Sequence, residues 1–153
     1  MKIWLRGGLI VASLFLSSCQ STIREWHEDC VVTPNASYNS KRLYLPPEPP
    51  LCNIEVELVL SESDSRFYIN TLSIPFSHLS DDVSKTIITF GVGDLFQEFI
   101  VDRLLGGQRL LLSPEASAFV IDALVNNQCV CLKVGRYQAD IVPTGFFALY
   151  THS

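Results

Sequence analysis

Residues 85–101 read KTIITFGVGDLFQEFIV, and this stretch decides the fold class. Two runs rich in β-branched and aromatic residues, 85–92 and 95–101, are separated only by Gly93-Asp94, the spacing of a tight β-hairpin. The pattern repeats downstream, where 128–134 and 137–142 flank Gly135-Arg136; glycine first suits a type II′ turn. Upstream, Ile54, Val56, Leu58 and Leu60 alternate with Glu55, Glu57 and Val59, which predicts a strand with one wet face. Phe67, Ile69, Leu72 and Ile74 extend as another strand up to Pro75. Gly106-Gly107 turn the chain into a strand over 108–112, and 145–150 is expected as a last short strand. Between them lies one helix, over about 114–126. Ser113 can cap it, Pro114 suits its first position, and Ala116, Phe119, Val120, Ala123 and Leu124 make one apolar stripe. Seven or eight short strands with one crossing helix predict a mainly β chain, an antiparallel sandwich or small barrel. The helix should close an open end or cover a sheet edge.

The chain has 153 residues, 48% hydrophobic and 18% charged, with a formal net charge of −5 and a mean hydropathy of +0.26. One domain can bury a real core at this length. Acidic balance argues against nucleic acid, whose phosphates need clustered Lys and Arg. The first residues carry Lys2 and Arg6, then an apolar run, LIVASLFL, over 9–16. As a helix that run reaches about 12 Å, well short of the ~30 Å hydrocarbon core, so it predicts a signal peptide over 1–18 and no membrane span. Leu16-Ser17-Ser18-Cys19 follows, an apolar residue, two small ones and a cysteine. This resembles the lipobox of bacterial lipoproteins. The resemblance covers only the leader and implies cleavage before Cys19, thioether lipidation of Cys19 and acylation of the new amino terminus. With Gln20 next, it implies sorting to the outer membrane. An ordinary secretory signal is the plainer alternative.

Residues 19–53 are expected to be the lipidated cysteine and a tether, and 54–153 the β-rich domain. The run Pro46-Pro47-Glu48-Pro49-Pro50 predicts extended polyproline II, a spacer or a PxxP recognition segment. Beyond Cys19 four cysteines remain, which in an oxidising compartment read as up to two disulfides. Cys30 and Cys52 could close a loop worth about 3 kcal/mol. Cys129 and Cys131, two apart on a strand, would hold their β-carbons about 6.6 Å apart, too far to bond each other. The better pairing joins Cys30 and Cys52 each to one of that pair. A CxC pattern matches neither zinc ligand spacing nor a CxxC redox motif. No metal or cofactor is expected.

Catalytic signals are weak. Ser77, His78 and Asp81 are neighbours in one loop, whereas a triad converges from separate loops, and no GxSxG elbow presents a nucleophile. Asp81-Asp82 lacks further spaced oxygen ligands for calcium. Gly91-Val92-Gly93 and Gly106-Gly107 read as turns rather than phosphate loops. Asp102, Arg103 and Arg109 read as charged surface, His27 and His152 as solvated ends. Asn35-Ala36-Ser37 matches a glycosylation sequon that a bacterial lipoprotein would leave unused. The layout of strand, Pro-started helix, hairpin and Gly145-Phe146 is similar to the C-terminal part of the bacterial invasion-associated β-sandwich family, and no residue's role follows from it.

Apolar excess on half-wet strands is more informative: Leu110-Leu111-Leu112, Phe99-Ile100-Val101 and Phe146-Phe147 offer apolar groups to both sides. Whatever the core leaves exposed would be a patch for a partner. The leading expectation is a lipid-anchored, non-catalytic bacterial envelope protein whose β-rich domain binds another protein. The alternative is a small-ligand or lipid-binding module with an apolar cavity. A third reading, a hydrolase, needs the 75–82 loop and the 102–109 turn to converge.

Overall fold

A computed structural model describes residues 23–35, 39–48 and 53–152. The leader, Cys19, Cys52 and the second half of the proline run lie outside the described residues. The elements in chain order are β1 (His27–Val31), β2 (Ser40–Leu45), β3 (Ile54–Ser61), β4 (Ser65–Thr71), β5 (Lys85–Val92), β6 (Leu95–Arg103), β7 (Arg109–Leu111), α1 (Pro114–Val125), β8 (Val130–Val134), β9 (Tyr137–Ile141) and α2 (Phe146–Thr151). Among the described residues the strands form one antiparallel sheet in the order β1-β2-β3-β4-β7-β6-β5-β8-β9. The sheet coils until its two ends meet. The Trp26 N–H donates to the Thr144 carbonyl at 3.0 Å, and its indole Nε1 donates to the Val142 carbonyl at 2.8 Å. These bonds join the segment before β1 to the segment after β9, and no β1–β9 ladder completes a barrel.

Period-two alternation sends Ile54, Val56 and Leu58 of β3, Phe67 and Ile69 of β4, and Ile88 and Phe90 of β5 into a single core. Rings fill the middle: Phe67, Phe76, Phe90 and Phe146 are fully buried. Trp26 meets Phe146 edge-on at 4.9 Å between centroids. At one end the 72–84 connection straps across the sheet. Its Phe76 N–H bonds the Gly107 carbonyl at 2.8 Å, and Arg103 Nε bonds the Phe76 carbonyl at 2.8 Å. At the other end α1 packs against α2 and the start of β8. The Ser113 hydroxyl accepts from the Ala116 N–H at 3.2 Å and caps α1. Phe119 of α1 reaches in to meet Phe99 at 5.7 Å. Both predicted hairpins form, with Val92 opposite Leu95 and Val134 opposite Tyr137. Gly93 (φ 57°) and Gly135 (φ 54°) supply the positive φ at the first turn position, while the residues that follow keep negative φ.

Three expectations change. The segment 19–53, read as a tether, contributes β1 and β2 to the sheet, with Trp26, Leu43 and Leu45 in the core. Pro46 and Pro47 follow β2 and leave SKRLYL free to alternate. The strand expected over 145–150 is the helix α2: Gly145 turns the chain at φ 83°, and Phe146 and Tyr150, one helical turn apart, stack at 5.3 Å. Finally, β4 ends at Thr71, and Leu72 and Ile74 are exposed on the strap.

Candidate functional site

Two surfaces of the coiled sheet are organised enough to carry a function. The first is a charged plate on the outer face of β2, β3, β4 and β7. Glu57 points outward from β3, yet its carboxylate is buried under its partners. Arg42 Nε lies 3.0 Å from Glu57 Oε1, Arg109 Nη2 lies 3.2 Å from Oε2, and Asn70 Nδ2 donates to Oε2 at 3.0 Å. Arg42 also pairs with Glu55 at 3.0 Å and Asp29 at 3.3 Å. Burial disfavours the Arg42 cation, but Glu57 and Glu55 outweigh it and hold its pKa above the ordinary value. Arg42 covers the Tyr44 ring at 4.4 Å, and Arg109 covers Tyr68 at 3.8 Å. Its carboxylates are answered by its guanidinium groups, with Arg109 Nε and Asn70 Oδ1 buried without a partner among the described residues, and the plate reads as a brace across four strands.

The second surface is the β5–β6 hairpin. Its inward residues Ile88, Phe90, Phe99 and Val101 are core. Its outward pairs are Lys85 with Asp102, Ile87 with Ile100, Thr89 with Glu98, and Gly91 with Phe96. Lys85 and Asp102 form an ion pair that raises the lysine pKa. The Phe96 ring lies over Gly91 so closely that a Cβ there would stand 2.4 Å from it. Glycine at 91 is therefore what lets the ring lie down, and Lys133 reaches the same ring at 5.5 Å. Even so, Leu95 and Ile100 are 60% exposed and Phe96 56%. Along α1 runs an open groove of about 840 Å³, lined by Leu111, Ala118, Ile121 and Val125 together with Arg66, Asp102 and Asp122.

The candidate site residues do not converge. Cys30, Cys129 and Cys131 are free thiols, so the expected bridge from Cys30 to the 129/131 pair is not made. The side chain that reaches that neighbourhood is Arg24, whose guanidinium bonds the Asp140 carbonyl. Six further residues of extended chain, on the order of 3.3 Å each, carry β1 away before Cys30 is reached. Partial burial and the Asp140 carboxylate push the Cys129 thiol pKa up, which disfavours its thiolate. His78 Nδ1 pairs with the Leu79 carbonyl at 2.6 Å. Asp82 accepts from Ser84, and those bonds lower its pKa. Ser77, His78 and Asp81 thus belong to a locally hydrogen-bonded loop. Arg103 is spent on the strap and Arg109 on Glu57. Among the described residues no three His, Cys, Asp or Glu side chains are grouped to hold a metal ion, and no helix is long and apolar enough to cross a membrane.

Of the apolar excess along the sequence, the core absorbs Leu110, Leu112, Phe99, Val101 and Phe146, leaving Ile100 and Phe147 outside. Leu95, Phe96 and Ile87 join Ile100, although the sequence does not single them out. Their signal was present: 95–101 places apolar residues on both parities, so one face had to stay wet. No family model, no curated protein and no solved structure matches this chain.

Proposed function

We propose that this is a lipid-anchored, non-catalytic protein of the bacterial envelope whose β-rich domain docks a partner protein through the β5–β6 hairpin. One observation carries the reading: Phe96, Ile87 and Ile100 are exposed together on the outward face of a hairpin whose inward residues Ile88, Phe90, Phe99 and Val101 are locked into the core. An ordered apolar surface of this kind stands where association would bury it. The lipobox pattern ending at Cys19 supports the anchor. Attachment to a membrane raises the effective concentration of both partners, so a modest interface suffices.

The test places a photo-crosslinking residue at position 96 in cells, with exposed Ser80 as the control position and Cys19→Ala as the anchor control. One abundant envelope protein crosslinked from 96, absent from 80 and weakened by Cys19→Ala, is the expected result. Accumulation of uncleaved precursor under globomycin checks the anchor separately. The second reading, a small-ligand or lipid carrier, is favoured by the apolar residues Leu111, Ala118, Ile121 and Val125 in the lining of the 840 Å³ groove. It gains if no crosslink forms at 96 and a lipid stays bound through purification. Against it, the interior of the coiled sheet is occupied by Phe67, Phe76, Phe90 and Phe146.

A further inference from the structure

We infer that β6 is an open strand edge that receives an extended, basic segment of the partner protein, which adds to the sheet as one more strand. This rests on the docking reading above and names its mode and the partner's chemistry. β7 is short and pairs with β6 only through Asp102 and Arg103. From Leu95 to Val101 β6 is therefore paired on its β5 side alone. The direction of each backbone group follows from the turn. In a hairpin with a two-residue loop the flanking residues, here Val92 and Leu95, form the closing hydrogen-bonded pair, and the pattern alternates from there. Odd-numbered residues of β6 face β5 and even-numbered ones face away. Two bonds at the far end agree: Arg103 N–H donates to Ser84 on the β5 side, and Leu104 N–H donates to Arg109 on the β7 side. Phe96, Glu98 and Ile100 thus each turn an N–H and a C=O toward the unpaired edge.

Among the described residues no further backbone hydrogen bond reaches Phe96, Glu98 or Ile100 on that side. α1 runs alongside, its Phe119 packed on Phe99, and beside the hairpin tip it leaves a cleft of about 260 Å³ between Leu95, Val92, Phe119 and Asp122. A long unpaired edge with apolar side chains is a template for another strand. The end strands β1 and β9 do not pair with each other and are bridged by the Trp26 bonds to Val142 and Thr144; β1 presents His27, Glu28 and Asp29 in place of an apolar row.

Charge selects the occupant. Asp94 in the turn, Glu98 on β6 and Asp122 on α1 form no ion pair among the described residues; of the cations on this face, Lys85 is held by Asp102 and Lys133 lies over the Phe96 ring. The side chains that an added strand would meet on the outer face are Phe96, Glu98 and Ile100 in sequence. The complementary segment carries apolar, basic and apolar residues at alternate positions, since directly opposed residues make the strongest cross-strand pairs. A second copy of this chain fits poorly. Two-fold antiparallel pairing of β6 about Glu98 sets that carboxylate against itself.

The experiment uses the mature chain and two fluorescein-labelled synthetic peptides, threonine alternating with Ile, Lys, Ile, and its Lys-to-Glu twin. Anisotropy reads affinity, and hydrogen–deuterium exchange reads which amides are covered. The lysine peptide is expected to bind about tenfold tighter than the glutamate peptide, with the amides of Phe96, Glu98 and Ile100 passing from fast exchange to protection. Glu98→Lys inverts the peptide preference. Ile100→Pro removes an outward N–H and no bond to β5, and it abolishes binding; Glu98→Lys decides the matter if the proline variant does not fold. Equal binding of the two peptides, or protection of those amides by self-association without peptide, overturns the inference. A crosslink at position 96 to an envelope partner, with no protection of the three amides when that partner binds, overturns strand addition and leaves docking intact.

Discussion

Glu57 shows how little of a side chain's role is local. Its spacing from Glu55 marks a wet strand face, and it does point outward. Yet it is buried beneath Arg42, Asn70 and Arg109, which arrive from β2, β4 and β7. Glu57→Gln keeps the shape but removes the charge that two guanidinium groups answer. It is expected to lower stability by about 1–3 kcal/mol, read as a reduced urea midpoint at constant slope. The wet face was legible in the i, i+2 spacing. The brace was not, because its cations come from strands that only the sheet order places side by side. Cys30, Cys129 and Cys131 make a related point: their spacing left several pairings open, and the three stand as free thiols in the structure.

Elements whose signals are local came through well. α1 carries its own start and stop, from the Ser113 cap to Asn126, whose N–H returns to Asp122. Ser113→Ala removes the hydroxyl that accepts from Ala116. It is expected to cost about 1 kcal/mol, seen as a lower melting midpoint with unchanged helical signal at low temperature. The two hairpins were legible because a two-residue loop starting with glycine admits few backbone solutions. α2 was not. Six residues are too short for a period to separate helix from strand, and apolar residues run through 146–150. The choice was made by Gly145 and by the packing of Phe146 on Trp26, a residue well over a hundred positions earlier. β2 was hidden by the prolines after it, although Leu43 and Leu45 alternate with Arg42 and Tyr44 as a half-wet strand should.

At the scale of the molecule, the consequence is that the folding unit begins before Ile54. A fragment of residues 54–153 lacks β1, β2 and Trp26. It leaves the places of Leu43 and Leu45 empty and the outer edge of β3 unpaired. That fragment is expected to show no cooperative thermal transition by circular dichroism, whereas the chain from Gln20 melts in one step. A cooperative melt of the fragment would mean that the first two strands are accessory.

The sequence by itself determined the strands with a clear period of two, the capped helix, both glycine hairpins and the mainly antiparallel β class. Each is written in residues a few positions apart, where steric and hydrogen-bonding preferences act without the rest of the chain. Tertiary structure alone decided that the early segment joins the sheet, that 146–151 is helical, that Glu57 is buried, and that β6 keeps one edge open. Those outcomes depend on which strands become neighbours when the sheet coils. That order is set by burying a common core, and no local preference encodes it.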